Sequence, residues 1–254
     1  MIQPVAIYVL WLREMKKFVR AKSRLVGAIS MPVFMLVFLG LGFRRVAIPG
    51  LPESVSYLQY IVPGIIGMTL LFTGASVGMS VLMDRQFGFL KEVMVTPASR
   101  ISIALGRISG GATTSIIQAL MMLFISVFMG FRFPVLGDFL LSVLVMLLIS
   151  VIFISISLIL SSMMKDVHGF NALTNLVVFP LFLLSGALFP VSNLPVGIRI
   201  FSYLDPLTYG VDALRNLMIG YSDFPLYVNI GILLTLSCVL IGISSYSFRK
   251  SKSV

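Results

Sequence analysis

Six stretches of the chain contain no Asp, Glu, Lys or Arg: residues 25–43, 60–83, 108–131, 139–164, 170–191 and 226–248. They run from 19 to 26 residues and are apolar throughout, without the alternation of a half-buried strand. About 20 residues, at about 1.5 Å each, cross the roughly 30 Å of a bilayer's hydrocarbon. Each stretch therefore predicts one membrane-spanning helix, because a helix satisfies its own backbone in lipid and uniform apolarity argues against barrel strands. Together they take 138 of the 254 residues, so all 28 charges fall in the other 116.

Three of the intervening segments have patterns of their own. Over residues 5–22, at about 100° per residue, Tyr8, Trp11, Met15, Phe18 and Val19 fall on one side, with Arg13, Lys16, Lys17 and Arg20 opposite. That arrangement suits the headgroup layer, so residues 1–24 are expected to form an amphipathic interfacial helix leading into the first span. Residues 84–100 read DRQFGFLKEVMVTPASR. Phe87, Leu90 and Met94 share one helical face, flanked by Phe89 and Val93, with Asp84, Arg85, Lys91 and Glu92 on the other. Pro97 should end this helix, because the residue before a proline is pushed out of the α region. A short amphipathic helix over 84–97 needs cover for its apolar side, and headgroups or a partner protein satisfy that need equally.

The third segment, 192–225, is 34 residues long and is broken by Pro195, Pro206 and Pro225. Within it Asp205 can cap a helix, Pro206 suits the first helical position, and Asp212 and Arg215 lie three apart on one face. This piece is too short and too polar to cross. It either dips into the outer leaflet as a re-entrant element or caps the bundle as an exposed loop. Small residues at helical spacing, Gly74 with Gly78 and Gly106 with Gly110, predict close helix–helix packing in the bundle.

Composition agrees with the pattern. The chain is 58% hydrophobic and 11% charged, with mean hydropathy +1.06, too few charges to cover a soluble domain of this size. Its net charge of +10 and pI near 10.1 would suggest nucleic acid on a soluble protein. Here the charge sorts by side of the membrane. With the N-terminus inside, the inner segments (1–24, 84–107, 165–169 and 249–254) hold 14 of the 19 Lys and Arg and 4 acids. The outer segments hold 5 of each sign. Basic residues collect on the cytoplasmic side, so both termini are expected there, in a multi-pass protein of one domain with a lipid bilayer and no nucleic acid as partner. The first 24 residues carry seven charges, which does not fit a cleavable signal.

Candidate chemistry is sparse. One cysteine, Cys238, and one histidine, His168, exclude an internal disulfide and a histidine metal cluster. There is no GxxxxGK[ST] phosphate loop and no HExxH. The six runs lack the ionisable groups with which ion-coupled carriers bind or relay their ions. Gln118, Asn171 and Asn175 supply hydrogen bonds only. No catalytic, cofactor-binding or metal-binding residue is expected. A membrane domain without an energy source of its own, offering an apolar helix to the cytoplasm, suggests a partner that supplies the work.

The chain resembles the permease subunits of ABC transporters of the type-2 exporter class, in particular the daunorubicin-type drug-efflux branch. The resemblance rests on YIVPGIIG (60–67), DRQFGFLKEVMVTPASR (84–100), LGRISGGATTSIIQ (105–118), FPLFLLSGALFPVSNLP (179–195) and YLDPLTYGVDALRNLMIG (203–220), in this order within a six-span frame. It implies half of a four-part exporter: two permeases, expected as a homodimer, and two copies of a separate ATP-binding subunit that carries ATP and Mg. Residues 84–97 would be the coupling helix, docking through Phe87, Gly88, Phe89, Leu90, Lys91 and Glu92. The N-terminal helix would connect along the membrane. Two short extracellular re-entrant helices would include Asp205, Pro206, Tyr209, Asp212 and Arg215, and spans two and five would line the path. The expected cargo is hydrophobic or amphipathic, moved outward across the plasma membrane. A permease for a lipid-linked glycan or polysaccharide is the alternative, and an ion-coupled carrier or a membrane scaffold lies further off.

Overall fold

The computed structural model describes residues 3–43, 55–88, 99–132, 135–164 and 166–250, with no account of the side chains of Arg24 and 248–250. Among the described residues the chain is all helical. Six helices are long and apolar enough to cross a membrane: α2 (Lys22–Gly42), α3 (Tyr57–Gln86), α4 (Arg100–Phe128), α5 (Leu136–Met163), α6 (Val167–Leu184) and α9 (Leu226–Lys250). They are joined by α1 (Pro4–Arg20) before the first span and by α7 (Val196–Leu204) and α8 (Pro206–Ile219) before the last.

Local chemistry sets where these helices begin and end. Ser56 and Gln59 form a capping box that starts α3, and the Ser99 hydroxyl accepts the Ser102 N–H at the start of α4. Both helices outrun their charge-free cores. At about 1.5 Å per residue their 30 and 29 residues span roughly 45 Å, half as long again as the hydrocarbon. Asp84 and Arg107 therefore lie inside helices rather than in a loop. The charge-free run 170–191, by contrast, is longer than its helix. Asp166 caps α6, which stops at Leu184, and Gly186 at φ 73° turns the chain toward a single 3-10 turn at Val191–Asn193.

α3 is the most buried helix and packs most extensively on α5; α2 and α6 flank it and α9 packs on α5 and α8, all three with their outer faces exposed. Association of helices in lipid rests on close packing, because tails are as apolar as leucine. The α3–α5 crossing is built on the predicted small residues. Ser157 Oγ donates to Gly74 O (2.8 Å) and accepts from Gly78 N (3.1 Å), and a Cβ on Gly78 would lie 2.5 Å from Ser157 O.

The other small pair holds α1. Gly106 receives Leu10, and Gly110 receives Glu14 and Trp11. Gln3 accepts from Ser99 N and its own N–H donates to the Ser102 hydroxyl, while Trp11 Nε1 donates to Thr113 Oγ1 (3.0 Å). α1 thus runs alongside the first turns of α4, in the same direction. The predicted interfacial helix consequently has a protein-facing side: Tyr8, Lys16, Val19 and Arg20 are exposed, but Arg13, Glu14 and Lys17 turn toward the bundle.

Candidate functional site

The end of the bundle that carries α1 gathers five charges from three helices. Asp84, in the last turn of α3, accepts both guanidinium arms of Arg13 (2.9 Å each) and a longer bond from Lys17 (3.4 Å). Arg107, 2% exposed on α4, donates to the same carboxylate through Nη2 and to Glu14 through Nη1 (2.6 Å). Burial pulls the Lys17 ammonium below its usual value, against the opposing pull of Glu14 and Asp84. Paired, low-dielectric charges of this kind are strong only when every member is satisfied. Arginine suits the centre because its planar fork can serve two carboxylates at once.

This cluster was not legible as a unit in the sequence. The available signal was that Glu14 and Asp84 are two of only four acids among 14 cations on the predicted inner side. Its position gives it consequence. Asp84 lies three residues before Phe87, where α3 ends; Phe87 is 85% exposed and Gly88 takes φ 81°. The other residues expected to couple, Phe89, Leu90, Lys91 and Glu92, lie outside the described residues.

At the opposite end α7 and α8 form a tight helix pair. Asp205 caps α8 as its sequence predicted, accepting Leu207 N–H at 2.9 Å, and Pro206 takes the first position. Thr208 and Tyr209 donate back to the carbonyls of Ser202 and Tyr203, which ties α8 to α7. Leu207 and Val211 pack against Gly67, well inside α3, so the turn between the two helices sits deeper in the bundle than the end of α8.

Asp212 and Arg215 share a face but do not pair with each other. Asp212 accepts the N–H groups of Asp223 and Phe224 and the amide of Asn229, fixing the connection into α9. Arg215 donates to Gly186 O (2.9 Å) and covers the Tyr60 ring at 3.8 Å, while Tyr60 OH donates to the same carbonyl. The two residues therefore join α8 to different neighbours, Arg215 to α3 and the turn after α6, Asp212 to α9.

Asp205 is 1% exposed and its Oδ2 has no hydrogen-bond partner among the described residues. Burial pushes the carboxyl up, to about 7, and the Leu207 N–H only partly opposes this. The folded state thus holds a proton that the unfolded chain releases above its ordinary value near 3.8. Stability from this group is full below that value and is lost as pH rises to about 7. Asparagine caps as well as aspartate and carries no charge. Asp205→Asn should therefore stabilise the protein in detergent at pH 8 by roughly 1–3 kcal/mol and flatten the dependence of its melting temperature between pH 5 and pH 8. A variant that melts below the parent at pH 8 contradicts the assignment.

Residues 74–78 read GASVG and match the GxSxG spacing of a hydrolase nucleophile elbow. That elbow needs a strand-to-helix turn, whereas these residues lie in mid-helix and Ser76 Oγ donates to Phe72 O.

Comparison with known proteins gives a consistent likeness. The family model described as ABC-2 type transporter matches residues 5–219, from the start of α1 to the end of α8. The chain is 26% identical over 232 residues to the "Inner membrane transport permease YadH" of Escherichia coli, covering 90% of this chain and 89% of that one. It is 26% identical over 214 residues to the "Probable doxorubicin resistance ABC transporter permease protein DrrC" of Mycobacterium tuberculosis, covering 82% and 75% respectively.

Proposed function

The chain belongs to the ABC-2 type transporter family, and from that premise we propose that it is the permease of an ATP-driven exporter for a hydrophobic or amphipathic compound. The observation that carries this reading is the buried ion cluster of Arg107, Asp84 and Glu14, which binds α1, α3 and α4 into one unit immediately before the 84–97 segment. A force applied to that segment by a partner would reach three helices together rather than one. Two copies of this chain would face each other, each with a separate ATP-binding subunit that holds ATP and Mg. Closure of the paired ATPases on ATP would move the coupling segments, and the permeases would pass from inward to outward access. No covalent step falls to this chain.

The charge distribution supports cytoplasmic termini and a plasma-membrane location, since 14 of the 19 basic residues lie on the predicted inner side. The similarity to a permease named for doxorubicin resistance supports an amphipathic cargo and outward transport. Met and Phe, with 15 and 20 residues, give the adaptable apolar surface such a cargo needs.

The test is purification of the chain from its native membrane in mild detergent, followed by identification of what comes with it. A soluble ATP-binding chain in equal amount, and ATP-dependent uptake of an amphipathic dye into inverted vesicles, are the expected results. Recovery of this chain alone, with uptake indifferent to ATP, would overturn the proposal.

A further inference from the structure

A cavity of about 370 Å³ lies between α2, α3 and α4, with the end of α1 at its base. It exists because α2 is splayed. Pro32, Leu36 and Gly40 of α2 are buried, whereas residues 22, 23 and 25–30 are exposed or half-buried. The walls are apolar and adaptable, from Met31 and Pro32 on one side to Met68 and Phe72 on the other. A polar strip runs up α3 and α4, and it has hydrogen-bonding capacity to spare. Gln118, 4% exposed, accepts from Thr73 Oγ1 at 3.1 Å, and its amide nitrogen makes no hydrogen bond among the described residues; the same holds for the hydroxyl of Ser80. Both residues line the cavity, and their unpaired polar atoms remain accessible, so an occupant of the cavity can pair them.

The base of the cavity carries surplus positive charge. Glu14 and Asp84 are already held at close range by Arg13 and Arg107, whereas Lys17 reaches them only at 3.8 and 3.4 Å. Three cations meet two carboxylates, and the exposed residues that follow, Arg20 and Lys22, add charge of the same sign. We propose that this cleft binds an anionic amphiphile, with its phosphate or carboxylate headgroup on Lys17, a carbonyl or hydroxyl on Gln118, and its hydrocarbon between α2 and α3. The chemistry fits a phospholipid entering from the inner leaflet and equally a free alkyl phosphate entering from the aqueous side. Binding needs no nucleotide, so it stands or falls apart from the exporter reading.

Brominated-lipid quenching reads the occupant directly. With Trp11→Phe removing the native fluorophore, Phe72→Trp places a reporter in the cleft, and Phe124→Trp places one on an exposed face of α4 as a control. The full chain is reconstituted in phosphatidylcholine bilayers, with brominated phosphatidylglycerol replacing brominated phosphatidylcholine in one arm and brominated dodecyl phosphate added from solution in the other. The expected result is a preference for the anionic quencher at position 72 and none at 124. Lys17→Gln should lower that preference about fivefold, the effect of roughly one basic residue at an anionic headgroup, and Lys17→Arg should retain it. Preference for the glycerolipid identifies a membrane lipid as the source, and preference for the alkyl phosphate alone identifies a soluble amphiphile. Equal quenching by anionic and zwitterionic probes at position 72, or a preference untouched by Lys17→Gln, overturns the proposal.

Discussion

Replacing Arg107 by leucine should lower the stability of the protein by about 3–5 kcal/mol, the usual effect of removing one partner from a buried ion pair. The arginine is 2% exposed and serves carboxylates on two other helices, Glu14 on α1 and Asp84 on α3. Leucine fills part of the space but leaves both acids short of their central cation, in a region that water reaches only at its rim. Arg13 and Lys17 retain Asp84, so the greater loss falls on Glu14 and with it on the hold of α1. Trp11 is the only tryptophan and sits in the α1–α4 contact, bonded to Thr113, so its fluorescence reports detachment of α1 directly. The expected observation is a melting transition shifted down and a Trp11 signal that changes before the rest of the protein unfolds. Arg107→Lys should recover little, because an ammonium cannot present two parallel arms. Combining Arg107→Leu with Glu14→Gln and Asp84→Asn should recover much of the loss, since neutral groups leave no orphaned charge. A single variant that melts with the parent would show that the cluster is not holding the three helices.

The frame of the molecule was legible because lipid imposes a simple rule. A run of about 20 residues free of charge is a helix that spans, and all six runs correspond to helices. The rule says little about where a spanning helix stops. Arg107 and Asp84 mark the ends of charge-free runs, which is compatible with a loop, but each belongs to a helix that continues past the hydrocarbon into a zone where ions can be paired. The converse occurs at Leu184. Hydropathy does not register the turn at Ser185 and Gly186, so the apolar run 170–191 overshoots its helix.

Side-chain chemistry was legible where it is local and obscure where it is long-range. Asp205 and Pro206 were readable as a helix start because capping involves neighbours two residues apart. The spacing of Asp212 and Arg215 placed them on one face but could not say that Arg215 reaches a carbonyl 29 residues away and that Asp212 holds the start of α9. The amphipathic pattern of residues 5–22 presented a similar limit. A helical wheel separates apolar from basic positions, but a basic stripe can meet headgroups or carboxylates, and in this protein it divides. Lys16 and Arg20 face outward, and Arg13 and Lys17 face Asp84.

Leu90→Asp should abolish coupling while leaving the fold intact, which separates it from the Arg107 variant. If residues 84–97 dock on an ATP-binding subunit, Leu90 lies on the apolar face that is covered. Losing the burial of one leucine removes roughly 1.5–3 kcal/mol, and placing a carboxylate in an apolar groove adds a desolvation penalty. Together these weaken association at least about 10- to 100-fold. The expected result is a chain that melts with the parent in detergent, loses the ATP-binding partner on purification, and no longer supports ATP-dependent uptake. Leu90→Met should retain all three properties, because it conserves volume and apolarity. Glu92→Lys reverses a charge in the same segment and should weaken the partner's hold to a smaller, salt-sensitive extent. Retained ATP-driven uptake by Leu90→Asp would mean that the apolar side of this segment rests on lipid. The buried cluster behind it would then be a brace for the bundle, with no part in passing force from an ATPase.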